Sequence, residues 1–491
     1  MSRFTARASA IGVLLVLALL AACASSPTTD TTAASEGEQF PVTAALRPSL
    51  RTTTTAEVVP TTTIPTTIPT TTTTAPVVSS AGFQHPGVLI DSEQISTVRA
   101  RIAAGQEPWA SALKKAQSSG GSIATANRKA YTYGSLSYVP WPVPVVQAPS
   151  AGTKLYIAAH PELGLAAIGD VEHLDDARAA YTHALLWTYT GNSAHAQKAI
   201  EIMNAWSYTL QEIKFDQPRR IDNNSQVYAN GKLQASWGAE LFTRAAELVR
   251  YSAAGWSAAD VAQFERMLTN VYLPLTITGW RSGANWLMSS AEATINIGVF
   301  TNDRAAFDGG VAMWRRLAPT TIYMPSDGPL PLPPHRDFDT AAEINWLWYN
   351  PSQYLPGLQG ETLRDLSHMA MGLGALTNGA ETARIQGVDL YGEQRDRILS
   401  AFELNAGYVR EYLQERDRLG ANPPSTWRPS NWVGSSFNLG GMAYMQGWEV
   451  AYSHYDRRLG YSMPNTKWVV ERLRPSGTAL HLSWETLTHA R

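Results

Sequence analysis

The chain has 491 residues, and its 39 Lys and Arg residues nearly balance its 41 Asp and Glu residues, for a formal net charge of −2 at pH 7. No block of basic residues interrupts this balance, which argues against nucleic-acid binding. With one cysteine in the chain, an intramolecular disulfide is excluded.

The N-terminal segment has the pattern of a bacterial lipoprotein signal. Arg3 and Arg7 precede an apolar run over residues 11–20, which is too short to span a bilayer and leads into Cys23. We therefore expect residues 1–22 to be removed and Cys23 to carry a lipid that anchors the protein to a membrane. The alternative is an ordinary secretory signal with an incidental cysteine.

Residues 23–81 are mostly Thr, Pro, Ala and Ser. This composition cannot bury enough apolar surface to offset the loss of chain entropy, so we predict a disordered tether. Signal and tether together predict an exported, lipid-anchored protein at the cell surface or in a periplasm-like space. Residues 82–491 remain for one large globular domain.

Apolar residues repeat with helical spacing along most of this domain. A first helix is predicted around residues 95–102, with Asp91 and Ser92 as its cap. Four helical pairs follow, at residues 175–190 with 193–210, 233–250 with 258–271, 285–300 with 303–316, and 361–380 with 393–413. Successive hairpins with short connections predict a mainly α fold, an (α/α) toroid with long loops over a central cleft.

One predicted helix carries four ionisable groups on one face. Glu361, Arg364, Asp365 and His368 fall within about a third of the helix circumference, at about 100° per residue. The later turns are apolar or small all round, which indicates burial. A buried helix that is charged only at its start fits a cleft that binds an acidic substrate, whereas the alternative is a solvated face.

A second predicted helix opens at Asn285, which shares one face with Ser289, Glu292 and Asn296. Asn285 either presents its amide to a substrate or caps the helix, a role that asparagine performs well. The spacing alone leaves both interpretations open.

Two further segments offer aromatic side chains that form hydrogen bonds. Tyr452 and His454 lie close together near the C-terminus, and phenol and imidazole can each pass a proton to a bound sugar. The alternative is a structural cluster that satisfies loop backbone. Trp348 and Tyr349 could form a lip that stacks against sugar rings, or they could pack inside a buried loop.

Metal and cofactor chemistry is not predicted. The ten histidines do not fall into HExxH or paired metal-ligand spacing, and residues 82–491 contain no cysteine, which argues against a catalytic zinc. No Gly-x-Ser-x-Gly elbow or phosphate-binding glycine loop stands where a strand would meet a helix.

Several segments resemble, in the same order, the alginate-lyase superfamily domain. They are residues 85–89, 106–109, 191–192, 199–206, 283–286, 361–368, 386–391 and 452–457. The resemblance covers nearly all of residues 82–491. It implies an (α/α) toroid that cleaves an acidic, uronic-acid-containing polysaccharide, alginate or a related polyuronate, by β-elimination without an obligatory metal.

The resemblance also implies roles for individual residues. In β-elimination one group neutralises the uronate carboxylate, a base removes the C5 proton, and an acid protonates the departing oxygen. Asn285 and Arg364 would hold the carboxylate, and His368 would be the base or a further neutraliser. Tyr452 or His454 would donate the proton. The expected substrate contacts are Glu361, Asp365, Trp286, Trp348, Tyr349, Tyr455 and Arg457.

The chain departs from the family pattern at two positions. Well-known alginate lyases carry Asn-Asn-His where this chain has Ala-Asn-Trp at residues 284–286, and they place a catalytic Tyr where this chain offers His368. Two other functions therefore stay open. One is a glycoside hydrolase that uses Glu361, Asp365 or Glu292 as its carboxylate pair. The other is a surface lipoprotein that binds glycans without cleaving them.

Overall fold

A computed structural model of the chain describes residues 76–119, 134, 136, 138–146, 169–214, 219–220, 226–227, 231–440 and 446–491. The predicted signal, Cys23 and nearly all of the predicted tether lie outside the described residues. Across the described ranges, no helix combines the length and apolar character needed to cross a membrane.

The described part is mainly helical, which confirms the predicted fold class. Its α-helices are α1 (Ser92–Ala103), α2 (Trp109–Ser118), α3 (Asp170–Thr190), α4 (Ser193–Thr209), α5 (Gly231–Arg250), α6 (Ala258–Met267), α7 (Leu273–Thr276), α8 (Ala284–Phe300), α9 (Arg304–Thr321), α10 (Ala341–Leu347), α11 (Leu366–Ile385), α12 (Leu390–Glu393), α13 (Arg395–Leu419), α14 (Glu449–Tyr452), α15 (Pro464–Leu473) and α16 (Glu485–His489). A π-helical turn follows α6 at Leu268–Tyr272, and another follows α14 at Ser453–Arg458.

The strands are short and form two-stranded pairs. They are β1 (Val77–Val78), β2 (Gln84–His85), β3 (Val145–Val146), β4 (Glu212–Ile213), β5 (Arg219–Arg220), β6 (Gln226–Val227), β7 (Thr478–Ala479) and β8 (Leu482–Ser483). β1 pairs with β2, β5 with β6 and β7 with β8 in antiparallel fashion, whereas β3 and β4 are parallel. These pairs tie down connections and do not form a core sheet.

Successive helices close into a ring. α3 packs against α5, α5 against α8, α8 against α11, and α11 against α14. α14 contacts α16, which contacts α1 and α2, and these two return to α3. Outside this ring α4 packs on α3, α9 on α8 and α13 on α11. Inner helices with outer partners are the arrangement of an (α/α) toroid, as the hairpin pattern predicted.

Side-chain caps determine where several helices begin. Asp91, Asn192, Ser257 and Asp303 accept hydrogen bonds from backbone N–H groups in the first turns of α1, α4, α6 and α9. Gly191 ends α3 with a φ of 70°, a conformation that favours glycine. α3 and α4 therefore form the tight hairpin that the sequence predicted.

α11 starts later than the sequence predicted. Asp365 has an extended backbone (φ −169°, ψ 154°), and its side chain accepts a hydrogen bond from the His368 N–H, so the helix begins at Leu366. Residues 361–364 instead form a turn in which the Arg364 N–H bonds the Glu361 carbonyl oxygen at 3.0 Å. The prediction of burial along the later turns is confirmed, since nearly every residue of α11 is buried.

The interior of the ring holds a buried group of charges. Arg244 of α5 forms an ion pair with Glu292 of α8 and donates a hydrogen bond to the His481 carbonyl oxygen at 2.7 Å. Glu240 lies 4.0 Å from Arg244. Burial, with the repulsion from Glu292, raises the pKa of Glu240 well above its ordinary value. Burial thus favours the protonated form of Glu240, and the close partner of Arg244 is Glu292.

Candidate active site

The first turns of α8 and α11 meet at one place in the ring. Gly372, one turn along α11 from His368, lies so close to α8 that a Cβ atom there would be 3.3 Å from the Asn285 backbone nitrogen. Residues four apart lie about 6 Å apart on the same face of a helix, so His368 and Asn285 are near neighbours. We call the side chains gathered here the N-end cluster: Asn285, Tyr349, Glu361, Arg364, Asp365 and His368.

Glu361 connects α8 to the turn before α11. One carboxylate oxygen accepts a hydrogen bond from the Asn285 backbone N–H at 2.8 Å. The other oxygen accepts from the Asn285 side-chain amide at 3.2 Å and from Arg364 at 3.3 Å. Glu361 is almost fully buried, so its contacts are those of a residue that positions Asn285 and Arg364. The expected substrate contact through Glu361 is not the arrangement observed.

Asn285 is the second residue of α8 and does not cap it, because Gly283 is the N-cap residue. Its side-chain NH2 group has two N–H donors, and Glu361 accepts from this group. The Asn285 Oδ1 atom is buried with no hydrogen-bond partner among the described residues. The amide is thus oriented by Glu361 at the start of α8.

Asp365 and His368 form a hydrogen-bonded pair. The Asp365 carboxylate accepts from the His368 backbone N–H at 2.9 Å and lies 2.6 Å from His368 Nδ1. A carboxylate only accepts, so Nδ1 carries the proton in this pair, and Nε2 is the ring nitrogen that can act as a base. Burial acts to raise the pKa of Asp365, but the His368 bonds and the Arg364 charge outweigh it, and the pKa lies below its ordinary value. Asp365 is therefore ionised and orients the imidazole.

Arg364 brings a positive charge and the Tyr349 phenol into the cluster. Its guanidinium lies 3.9 Å from Asp365 and within hydrogen-bonding reach of the Tyr349 hydroxyl. Burial raises the pKa of Tyr349 to about 12, against the lowering effect of Arg364. The phenol is thus protonated at neutral pH.

The backbone that delivers Tyr349 is strained. Tyr349 and Asn350, just after α10, have φ values of 60° and 51°. Consecutive non-glycine residues in the left-handed region cost free energy and persist where surrounding contacts demand them. The strain places a phenol beside Arg364, which is a reason to regard Tyr349 as functional. The sequence marked Tyr349 as a substrate contact, and no pattern in it indicated its proximity to Arg364.

The cluster also lies where helix dipoles favour anions. The N-terminal ends of α8 and α11 both point their unpaired N–H groups toward it, and Glu361 and Asp365 satisfy some of them. Because Glu361 and Asp365 already bind N–H groups of both N-termini, the group that would pair with an incoming carboxylate is Arg364. This setting suits a negatively charged substrate.

Two tryptophans expected as substrate contacts lie beside the cluster in packed positions. Trp286 is 6% exposed and packs against Trp280, with ring centroids 5.9 Å apart. Trp348 is 2% exposed and belongs to a small apolar core with Tyr323, Ile344 and Leu363. The position of Trp348 therefore agrees with the alternative interpretation, in which it packs inside a loop.

Tyr452 and His454 do not join the N-end cluster. The His454 ring stacks on Tyr391 at 3.8 Å between centroids, and its Nδ1 accepts from Arg458 at 2.8 Å. Arg458 in turn pairs with Glu381 at 3.2 Å, near the C-terminal end of α11. At about 1.5 Å of rise per residue, Glu381 lies about 20 Å along α11 from His368.

The same correction applies to the neighbouring residues. Tyr452 is buried in the apolar core, 6.0 Å from the Arg474 guanidinium, and burial raises its pKa to about 12. The Tyr455 hydroxyl is buried and donates to the Tyr391 carbonyl oxygen at 2.8 Å. Arg457 bonds the Arg491 carbonyl oxygen at 3.2 Å. The resemblance implied roles as proton donor and substrate contacts for these residues, and the structure gives them packing and hydrogen-bond partners outside the N-end cluster.

The N-end cluster lacks the carboxylate pair of a hydrolase. Such a pair needs one carboxyl group with a raised pKa as the acid. Asp365 has a lowered pKa, Glu361 holds Asn285 and Arg364, and Glu292 lies inside the ring paired with Arg244. Among the described residues, no group of three or more His, Cys, Asp or Glu side chains is placed to hold a metal ion.

The family of the chain follows from comparison with known sequences. A family model described as Alginate lyase matches residues 164–413, just over half of the chain and a span that includes the whole N-end cluster. The chain therefore belongs to the alginate lyase family, and it is a polysaccharide lyase. No curated protein matches it.

Solved structures of alginate lyases are also similar to the chain. Alginate lyase A1-III from Sphingomonas species A1 is 15% identical, with a TM-score of 0.48, and the match covers 85% of this chain and 98% of that one. A variant of A1-III in complex with a tetrasaccharide is 15% identical, with a TM-score of 0.46, over 82% and 95% of the two chains. An alginate lyase from Bacteroides ovatus is 13% identical, with a TM-score of 0.47, over 83% and 99%.

Proposed function

We propose that this lyase cleaves a polyuronate, alginate or a related uronic-acid polymer, by β-elimination at the N-end cluster. The observation that carries the proposal is the contact between Arg364 and both Tyr349 and the Asp365–His368 pair, at the first turns of two helices. A guanidinium, an oriented imidazole and a protonated phenol are the three kinds of group that the elimination needs.

In the first step Arg364 binds the uronate carboxylate. A charge-assisted pair with a guanidinium withdraws electron density from the carboxylate and makes the adjacent C5 proton more acidic. The Asn285 amide, held by Glu361, adds a neutral donor from the start of α8. Glu361 keeps Arg364 in place through its 3.3 Å contact.

His368 then removes the C5 proton through Nε2. Asp365 holds the tautomer in which Nε2 carries the lone pair, and it stabilises the imidazolium that forms. The electron pair of the broken C5–H bond forms the C4=C5 double bond, and the bond between C4 and the glycosidic oxygen breaks.

Tyr349 supplies the proton to the departing oxygen. Its phenol holds a proton at neutral pH, because its pKa is raised to about 12. The positive charge of Arg364 stabilises the phenolate that remains. After product release, solvent returns a proton to Tyr349 and removes one from His368, so the cycle closes without a change in oxidation state.

The test is a screen of uronate polymers read by ultraviolet absorbance and mass spectrometry. Elimination creates an unsaturated uronate that absorbs, whereas hydrolysis adds water and creates no such absorbance. Tyr349→Phe should lower kcat about a hundredfold or more with little change in stability. Absence of product from every polymer, combined with measurable binding, would favour the glycan-binding alternative instead.

We also propose that the enzyme works outside the cytoplasm, with residues 1–22 removed, Cys23 lipidated and residues 23–81 acting as a spacer before the catalytic domain. The supporting evidence is the sequence pattern of residues 3–23 and the Thr- and Pro-rich composition that follows. Metabolic labelling with a radioactive fatty acid should mark the wild-type protein and not Cys23→Ser. Equal labelling of both proteins would contradict the lipid anchor.

A further inference from the structure

A pocket lies beside the N-end cluster, between the last turns of α13 and the loop at residues 422–440. Its cavity volume is about 350 Å³, and its lining includes Tyr412, Arg416, Asn422, Trp427 and Phe437. A volume of this size is at the lower end of the range for small-ligand sites. The pocket has no role in the elimination proposed above.

One wall of the pocket is shared with the start of α11. The Asn438 carbonyl oxygen accepts a hydrogen bond from the Leu366 N–H at 3.0 Å. A Cβ atom at Gly440 would come within 2.2 Å of the Ser367 hydroxyl, so the loop lies directly against the turn between Asp365 and His368. A chain bound at the N-end cluster and extending over this wall would reach the pocket.

The pocket combines aromatic faces with a positive charge. Trp427 lies 5.4 Å from Phe437 and 5.7 Å from Tyr412 between ring centroids, and all three are partly exposed. Arg416 adjoins them, with a loose 3.9 Å contact to Asp417, which is a weak competitor for a ligand carboxylate. Aromatic rings stack on the apolar face of a sugar, and a guanidinium pairs with a carboxylate.

The loop that forms the pocket is held in a defined shape. Arg428 donates to the carbonyl oxygens of Ser425, Trp427 and Ser435 at 2.6, 2.7 and 2.9 Å. The Ser430 N–H donates to a Glu411 carboxylate oxygen at 2.6 Å. A long loop that is cross-linked in this way is typical of a binding segment. A preformed pocket costs less free energy on binding than one that must order.

We infer that this pocket is a distal subsite that binds one uronate residue of the polymer, with Trp427 stacking on the sugar and Arg416 pairing with its carboxylate. This inference rests on the proposed function, because it takes the polyuronate at the N-end cluster as its starting point. Such a subsite would make the enzyme favour long substrates over oligosaccharides that are too short to reach from the N-end cluster to the pocket.

The test compares Arg416→Ala and Trp427→Ala with a matched control. Arg418→Ala removes the same charge from the same helix, at a residue that pairs with Glu415 outside the pocket. For a long alginate or polygalacturonate chain, Arg416→Ala should raise KM about tenfold with kcat unchanged, and Trp427→Ala should raise it severalfold. For the shortest oligosaccharide that is cleaved, both variants and the control should match wild type.

One outcome overturns the subsite and leaves the proposed function standing. In it, the wild type cleaves a polymer, and the KM of Arg416→Ala equals that of Arg418→Ala at every substrate length. Equal loss on short and long substrates also overturns it. If wild type cleaves no polyuronate and isothermal titration detects no binding of alginate or polygalacturonate oligosaccharides, both proposals fail. If Trp427→Ala disturbs the loop, the result for Arg416→Ala alone tests the subsite.

Discussion

The two ends of α11 carry the same kinds of side chain in different settings. The N-end cluster holds Arg364, Asp365 and His368, with a phenol from Tyr349. The other end, which we call the C-end cluster, holds Glu381, Arg384, Arg458, His454 and Tyr391. Each has arginine, histidine, carboxylate and tyrosine, so residue types alone do not tell a catalytic site from a structural one.

Electrostatics and partners separate the two clusters. In the C-end cluster two guanidinium groups surround Glu381 at 2.8 and 3.2 Å, and they lower its pKa in spite of burial. Burial lowers the pKa of His454 to about 4, so its ring is neutral and serves as a stacking partner. In the N-end cluster the histidine is hydrogen-bonded to a carboxylate, and the Arg364 guanidinium lies 3.9 Å from that carboxylate. The charged groups of the C-end cluster therefore pair with one another, whereas those of the N-end cluster are arranged to act on a substrate.

The largest expected difference between the clusters is the effect on kcat of substituting the histidine in each. His368→Gln should lower kcat about a thousandfold, because the base is lost, and should remove the acidic limb of the pH–rate profile. His454→Gln is the matched control, and its activity per folded molecule should stay within about twofold of wild type. Comparable losses in both variants would place His454 back in the mechanism.

Glu381→Gln should affect stability and leave activity per folded molecule unchanged. Removing one partner of a buried ion pair costs about 3–5 kcal/mol. The pKa of Glu381 is lowered in the folded state, so its contribution is complete above the ordinary pKa of about 4.3 and is lost as the pH falls below it. Urea unfolding at pH 7 and pH 4 should show a smaller gap between variant and wild type at pH 4. A constant gap would contradict the ionised state of Glu381.

Asp365→Asn should separate catalysis from folding within the N-end cluster. Asparagine caps a helix about as well as aspartate, so the melting temperature should change by only a few degrees. An amide cannot stabilise the imidazolium as a carboxylate does, so kcat should fall about a hundredfold with a small change in KM. A large loss of stability with normal kcat would assign Asp365 a capping role alone.

Much of the fold could be predicted because helical periodicity and caps are local signals. The α3–α4 hairpin follows from Gly191 and Asn192, and the burial of α11 follows from its small and apolar later turns. The predicted start of α11 was wrong because the Asp365 side chain caps the helix, which therefore begins one residue later, at Leu366. Aspartate is a common N-cap residue, so the residue type did indicate this start.

The composition of the site was less predictable because it depends on contacts between distant segments. His454 packs near the far end of α11, and the register of α14 against α11 has no signature in the local sequence. Tyr349 reaches Arg364 through two left-handed residues that are not glycine, which residue preferences argue against. Sequence therefore identified the residues near α11 that could do chemistry, and tertiary packing decided which of them meet.

The most direct measurement is the initial rate of unsaturated-uronate absorbance for Arg364→Ala and Arg458→Ala, each corrected for the folded fraction by circular dichroism. Each variant removes one guanidinium that pairs with a glutamate at one end of α11. Our account predicts that Arg364→Ala loses at least about a hundredfold in kcat/KM and that Arg458→Ala keeps the wild-type rate. A wild-type rate for Arg364→Ala would contradict it.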